Sequence, residues 1–303
     1  MTTVLITGGG GLVGRHLCKK LKEKGFNVAI LSTTRQQVAD IKTYFWDIDK
    51  KEIEKKSVNT VDCIIHLAGA NIGEKRWGRK RKQLIIDSRV KSAQLIFDTI
   101  KDNHKVLKTF ISASAIGYYG TITSDKIFTE TDPVAKDFLG ETCRSWEQSA
   151  DRFNELGIRV VKIRTGVVLT KQGGALSKMI IPIKMGIGSA LGSGKQYLPW
   201  IHIDDLCEIY IKTIEDISIK GAYNAVAPDH KTNKEFTQTL AHVLKKPFWF
   251  PNIPAITMKL IFGKMSDMLL KGSRVSSDKI IATGFSFKFP DIESTLNDLI
   301  NSP

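Results

Sequence analysis

Three groups of residues carry types and spacings that chemistry could use. Gly8, Gly11 and Gly14 form G-x-x-G-x-x-G directly after the apolar run Val4-Leu5-Ile6. In a strand-turn-helix unit the first glycine permits a tight turn. The second lets a pyrophosphate approach the backbone, and the third lets helix and strand pack closely. The helix start beyond them offers free N–H groups and a partial positive charge to that phosphate. A second group, Ser32, Thr33, Thr34 and Arg35, has hydroxyls and a guanidinium and no acid before Asp40. A carboxylate there would hydrogen-bond an adenosine ribose and select NAD, whereas Arg with hydroxyl residues accommodates a 2′-phosphate. NADP is therefore the expected cofactor. The third group is Ser114, Tyr118 and Tyr119, just beyond a strand expected to end at Ser112. Hydroxyls at the carboxyl edge of a parallel sheet lie where ligands bind and could relay a proton to a substrate oxygen.

These groups need a scaffold that returns strand after strand to one edge. Val4–Ile6, Asn27–Leu31, Thr43–Asp47, Val61–Leu67, Thr109–Ser112 and Arg159–Ile163 read as strands. Helical patterns stand between them at Arg15–Lys24, from Gln36, and at Arg81–Asp102 and Glu141–Leu156. Such alternation predicts an α/β protein with a Rossmann-type, doubly wound parallel sheet. Residues 1–168 with about 198–227 would form the NADP-binding domain. Residues 169–197 with about 228–303 would form a smaller C-terminal substrate lobe, and the glycine-rich passage Gly173–Gly194 reads as a mobile or substrate-facing segment.

Composition excludes several classes. A chain of 303 residues, 42% hydrophobic and 25% charged, is ordinary for a soluble globular protein. No apolar run approaches the roughly 20 residues that span a bilayer, and no membrane partner is expected. The N-terminal residues read straight into the first strand, and no secretory leader is expected. Cys18, Cys63, Cys143 and Cys207 are scattered, without metal-type spacing. A reducing cytoplasm is the expected location and no metal is expected. The net charge of +14 is densest at Lys75, Arg76, Arg79, Lys80, Arg81 and Lys82. No nucleic-acid module accompanies that run, so a solvated face is expected and no nucleic-acid partner. A small-molecule substrate is the expected partner, and a homodimer is left open.

Four motifs together carry a family resemblance. Thr7-Gly8-x-x-Gly11-x-x-Gly14, His66-Leu67-Ala68-Gly69-Ala70, Ser112–Gly120 and Pro199–Asp205 (P-W-I-H-I-D-D) resemble the extended short-chain dehydrogenase/reductases. Trp77–Arg89 and Phe138–Glu147 are similar to an epimerase-like subfamily, the nucleoside-diphosphate-sugar epimerases. The tail from Phe250 to Phe287 resembles that subfamily's small C-terminal domain. The resemblance implies that Gly8, Gly11, Leu12, Val13 and Gly14 hold the pyrophosphate and that Asp47 and Ile48 border the adenine. It further implies that Leu67, Ala68 and Gly69 line the ribose side, while Thr165, Gly166 and Val167 approach the nicotinamide. It leaves open which of Ser32, Thr33 and Arg35 touches the 2′-phosphate. Arg89 occupies a place where related enzymes often carry Asn.

For catalysis the same resemblance implies a departure. Family members use Y-x-x-x-K with an upstream Ser or Thr, and the Lys cation lowers the Tyr pKa. Alignment on Glu147 puts Leu139 in place of the Tyr and Cys143 in place of the Lys, with Ser114 kept. Tyr118 or Tyr119 could supply the proton instead, with loop packing as their competing role. Cys143 reads as a thiolate beside Arg144 or as a buried small residue. Glu147 reads as a general base or as the charge partner of an arginine. His66 and His202 are expected to anchor loops, and Asp204 and Asp205 to cap the helix that follows. The implied activity is that of an NADP-dependent oxidoreductase or epimerase acting on a hydroxyl- or carbonyl-bearing small molecule, a nucleotide sugar among them. A non-catalytic NADP(H)-binding redox sensor is the alternative.

Overall fold

A computed structural model describes residues 2–35, 40–103 and 106–301. The chain opens with strand β1 (Thr3–Thr7), helix α1 (Leu12–Glu23), β2 (Asn27–Ser32), β3 (Lys42–Asp47), β4 (Glu52–Ile53), the single turn α2 (Lys56–Asn59) and β5 (Cys63–His66). Next come the long α3 (Arg79–Asp102), β6 (Thr109–Ala115), a 3-10 turn at Ile116–Tyr119 and the short β7 (Ile127–Phe128). Helix α4 (Phe138–Asp151) leads through a 3-10 turn to β8 (Arg159–Thr165), β9 (Val167–Leu169) and α5 (Gly174–Lys184). Strand β10 (Trp200–His202), α6 (Ile203–Glu215), β11 (Gly221–Ala225) and α7 (Asn233–Val243) follow. The last stretch holds α8 (Ala255–Phe262), α9 (Asp267–Leu270), β12 (Arg274–Val275), α10 (Asp278–Ile281) and α11 (Ile292–Asn301).

The main sheet has the order β11-β8-β6-β5-β1-β2-β3-β4. All its pairings are parallel except the edge pair β3–β4. The chain winds outward from β1 through β2 and β3, then crosses to the other side of β1 to form β5. The crevice between β1 and β5 is the topological switch point at which doubly wound sheets bind ligands.

Side chains of alternating direction split the core in two. Val4 and Ile6 face Leu17, Leu21 and the α6 residues Leu206 and Tyr210. Leu5 faces the opposite layer, with Leu95, Ile96, Phe110 and Phe153. Ile280 and Phe285, from the C-terminal stretch, are buried in the first layer. This stretch therefore shares the sheet's own core as well as having its own, where α7 and α11 pack through Phe236, Leu240 and Leu296.

Several elements differ from the sequence expectation. Helix α1 begins at Leu12, three residues earlier, and β6 runs on to Ala115, which puts Ser114 inside the strand. The helix expected from Gln36 falls on residues 36–39, outside the described residues. The glycine-rich passage contains the ordered helix α5, with Pro182 within it. Its start lies against the glycine turn: a Cβ on Gly174 would sit 3.1 Å from Leu12 Cδ2. Glycine clusters read as loop because each residue favours no single conformation. Here burial of Leu176 and Ile183 offsets that preference.

Candidate functional site

The glycine turn leaves β1 at Thr7. Gly8 adopts φ +70°, and a Cβ on it would stand 3.0 Å from the Leu67–Ala68 backbone. A Cβ on Gly14 would lie 2.3 Å from Gly8 O and 2.7 Å from Gly9 Cα. The first and third glycines are thus fixed by the fold. Gly11 has an extended backbone that any residue adopts, is exposed, and has only Gly8 O, at 3.2 Å, near its missing Cβ. Open space at the second glycine leaves room for an approaching group. A further glycine, Gly9, lies outside the spacing motif, yet a Cβ there would stand 2.4 Å from Ile30 Cγ2.

The N–H groups of Leu12, Val13 and Gly14 find no acceptor among the described residues, and the first turn of α1 contains no acid. Free donors, a helix start and a bare backbone make a cradle for an anion. The residues present therefore fit a dinucleotide pyrophosphate.

A hydrogen-bond chain that sequence reading did not anticipate fixes the far wall. Ala68 N–H donates to Thr7 Oγ1 at 3.1 Å, and the Thr7 hydroxyl meets His66 Nδ1 at 2.8 Å. His66 Nε2 faces the Arg89 carbonyl at 3.3 Å and Ser92 Oγ at 3.1 Å. A carbonyl only accepts, so Nε2 carries the proton and Nδ1 accepts from Thr7. Complete burial lowers the His66 pKa to about 4 and keeps the ring neutral. His66 thus anchors the loop that begins at Leu67. Arg89 lies beneath that loop, where a Cβ on Gly69 would come within 2.9 Å of its guanidinium carbon. The same guanidinium donates to Ala70 O at 3.2 Å and sits over the Trp146 ring, and burial lowers its pKa.

At the end of β2, Ser32 Oγ accepts from Thr34 N at 3.1 Å and lies 3.1 Å from Thr34 Oγ1. Thr33 and Arg35 are exposed, and the Arg35 guanidinium is stacked 4.8 Å from the centre of the Phe45 ring. Asp47 accepts from the backbone N–H groups of Asp49 and Lys50, which bends the chain at Ile48. No carboxylate of the described residues makes a hydrogen bond or ion pair with Ser32–Arg35.

The expected proton-handling residues divide between a buried network and its surface. Ser114, 2% exposed, donates to Glu147 Oε1 at 2.7 Å. Arg164 holds the same carboxylate through Nε to Oε1 at 2.8 Å and Nη2 to Oε2 at 2.9 Å. Arg164 Nη1 donates to Tyr119 Oη at 3.1 Å, and Tyr119 donates to Asn224 Oδ1 at 2.7 Å. Burial pushes the Tyr119 pKa up to about 12. Tyr118 is half-buried, its ring centre 3.4 Å from the Arg164 guanidinium carbon. Its hydroxyl makes no hydrogen bond to the described residues. The register Ser114↔Arg164 and Ala115↔Thr165 brings the network to the carboxyl edge, next to Thr165, Gly166 and Val167. Gly166 packs so closely that a Cβ would stand 2.9 Å from Pro199 O.

Leu139 is buried with Trp77, Ile85 and Met265 and lies against Gly117. Cys143 is buried too, its Sγ 3.6 Å from Ala115 O, and burial pushes its pKa up to about 12. It is a neutral thiol, not a thiolate beside Arg144.

The capping expectation for Asp204 and Asp205 is corrected. The cap of α6 is His202, whose Nδ1 accepts from Asp204 N at 3.0 Å. Asp204 instead pairs with His16 at 2.6 Å, and that hydrogen bond holds it well below the usual carboxylate range. Asp205 receives the backbone N–H groups of Lys288 and Phe289 at 2.9 and 3.0 Å. The His202 ring, two residues before Asp204, reaches the free N–H first, which releases both acids to tie α6 to α1 and to the C-terminal stretch.

A Rossmann-type sheet with a glycine phosphate cradle at its switch point defines an NAD(P)-binding protein of the short-chain dehydrogenase/reductase type. The chain belongs to the NAD dependent epimerase/dehydratase family, whose model matches residues 4–225, and residues 253–299 match a domain of unknown function, DUF1731. It is 37% identical over 306 residues to the epimerase family protein SA0724 of Staphylococcus aureus, covering 99% of each chain. The crystal structure of human epimerase family protein SDR39U1 (isoform 2) with NADPH superposes with a TM-score of 0.89 at 29% identity, covering 100% of both chains. UDP-glucose 4-epimerase from Thermotoga maritima shares the fold, with a TM-score of 0.80 at 18% identity over 99% of this chain and 98% of that one.

Proposed function

We propose that this protein is an NADP-dependent oxidoreductase or epimerase acting on a hydroxyl- or carbonyl-bearing small molecule, with nucleotide sugars as one candidate class. The observation that carries this reading is the anion cradle at Gly8–Gly14 together with the acid-free, hydroxyl- and guanidinium-bearing end of β2. The human relative's NADPH supports the choice of NADP. Gly8, Gly11, Leu12, Val13 and Gly14 would hold the pyrophosphate, and Ser32, Thr33 and Arg35 the 2′-phosphate. Asp47 and Ile48 would flank the adenine. Leu67–Gly69 above Arg89 and Thr165–Val167 would enclose the two riboses and the nicotinamide. When bound, the dinucleotide supplies or accepts a hydride.

The chain's own part is the proton. Tyr118 stands at the sheet's carboxyl edge with a hydroxyl that makes no hydrogen bond to the described residues, and the Arg164 guanidinium is stacked on its ring. In this reading Tyr118 donates a proton to a carbonyl oxygen as negative charge develops on it. Ser114 and Tyr119 position Arg164 by holding Glu147 and Asn224. Arg164 thus sets a cation beside a tyrosine in a chain that has Leu139 and Cys143 at the positions of the family's Tyr–Lys pair. One observation favours a second reading, a non-catalytic NADP(H)-binding redox sensor: Leu139 fills the tyrosine's place with packed apolar surface.

Fluorescence titration of the purified protein with NADPH and NADH tests the cofactor. Binding of NADPH at least roughly tenfold tighter is expected, from about 1.5–3 kcal/mol for hydrogen bonds to a charged group. Equal affinities would sink the 2′-phosphate assignment. For the chemistry, Ser114→Ala, Tyr118→Phe, Tyr119→Phe and Cys143→Ala are assayed with NADPH on a carbonyl panel. Turnover should collapse in Tyr118→Phe and persist in Cys143→Ala. The reverse pattern overturns the assignment, and no wild-type turnover with intact NADPH binding selects the sensor.

A further inference from the structure

Helix α8 is apolar over most of its surface, with only Thr257 and Lys259 polar, yet much of that surface faces outward. Met258 points inward, while Ile256, Leu260 and Ile261 are 70%, 73% and 55% exposed. A helix on the surface of a globular domain ordinarily turns its polar face outward. Just upstream, Trp249 and Phe250 are also exposed, with their rings edge to face at 5.4 Å.

The basic cluster at the start of α3 adjoins this face. Arg76 Nε donates to Ile261 O at 2.7 Å and Arg76 Nη2 also donates to Leu260 O, so the cluster is seated on the end of α8. Phe262 packs in the same apolar group as Trp77, the residue after Arg76. Lys75, Arg76, Arg79, Lys80, Lys259 and Lys264 are exposed, and none makes an ion pair among the described residues. The neighbouring acids are already engaged, Glu74 with Arg81 and Asp267 with Lys271. Arg79 and Lys80 stand in the first turn of α3, where the helix dipole disfavours cations. Helix stability therefore does not account for their position.

We propose that α8 and the Lys75–Lys80 cluster form a docking face for an anionic lipid surface. Ile256, Leu260 and Ile261 would enter the boundary between headgroups and acyl chains, with the unpaired cations over anionic headgroups. Adsorption of this kind needs no spanning segment, and no helix of the described residues is long and apolar enough to cross a membrane. A second copy of the chain fits the face less well. Pairing this face with its twin would bring two sets of unpaired cations together, and such like-charge juxtaposition is costly. A nucleic acid would use the cations and leave the apolar helix without a partner.

The test is flotation of the full chain with phosphatidylcholine vesicles, with and without 30% phosphatidylglycerol. Binding is expected only to the anionic vesicles and should fall as salt rises. Lys75→Glu with Lys80→Glu should weaken it more than tenfold, because each lost cation lowers partitioning roughly fivefold. Ile256→Glu with Leu260→Glu should abolish it while leaving the circular dichroism and melting temperature unchanged, since both side chains are solvent-exposed. Equal recovery with both vesicle types overturns the proposal, as does undiminished binding by the Ile256/Leu260 variant. Sedimentation velocity covers self-association. A dimer dissociated by the same two glutamates, without vesicle binding, would assign the face to a second copy and overturn the lipid.

Discussion

His66 anchors the loop at Leu67 from inside the protein. It is fully buried between Thr7 and Arg89 O, with a pKa lowered from 6.5 to about 4 by that burial. Protonation would force a second N–H towards Thr7 Oγ1, which already accepts from Ala68 N. The unfolded chain takes up this proton near pH 6.5 and the folded chain near 4. Stability due to His66 is therefore full above pH 6.5, declines as pH falls from 6.5 to 4, and is level below. The loss amounts to about 3 kcal/mol at the acid end of that window. Urea unfolding of wild type and His66→Asn at pH 7.0 and 4.5 isolates it, with the wild type expected to lose more between the two pH values. An equal loss would place the titration elsewhere.

At the scale of elements, the turn between β1 and α1 separates fold from ligand within seven residues. Gly14→Ala puts a Cβ 2.3 Å from Gly8 O, a backbone atom that cannot move without shifting the helix. Destabilisation of about 1–3 kcal/mol or more is expected from overpacking of this kind. Gly11→Val keeps an ordinary backbone, and its Cβ would stand 3.2 Å from Gly8 O. That variant should melt within a few degrees of wild type and lose NADPH binding, because the valine fills the cradle. Paired circular dichroism melts and fluorescence titrations decide the matter. A folded Gly11→Val that binds NADPH normally would mean that the phosphate is held elsewhere.

For the whole molecule, the C-terminal stretch contributes Ile280 and Phe285 to the core built on β1 and α6. Asp205 ties the same stretch to α6 by two backbone hydrogen bonds. A single cooperative melting transition is therefore expected. NADPH at a hundred times its dissociation constant should raise the midpoint by about 4 °C, from about 2.7 kcal/mol of ligand stabilisation spread over a chain of this size. NADH at the same concentration should raise it less. Differential scanning calorimetry showing two transitions, with only one moved by NADPH, would contradict the shared core.

By itself the amino-acid sequence determined what depends on local pattern. Apolar runs and helical periods located the strands and helices that carry the site. The spacing of Gly8, Gly11 and Gly14 marked the tight turn between β1 and α1, and the acid-free Ser32–Arg35 stretch marked the end of β2. Local signals suffice there because strand pairing, tight turns and helix starts depend on a few adjacent residues. Only the tertiary structure decided which polar groups meet. Ser114, Glu147, Arg164 and Asn224 lie on three strands and a helix, and converge because the β6–β8–β11 register aligns them. His202 displaces Asp204 and Asp205 from the cap of α6, since its ring reaches the free N–H and the acids have partners more than 80 residues away. Likewise only the fold shows that Ile256 and Leu260 of the apolar α8 are turned outward. Periodicity records that a face is apolar, and only packing determines what covers it.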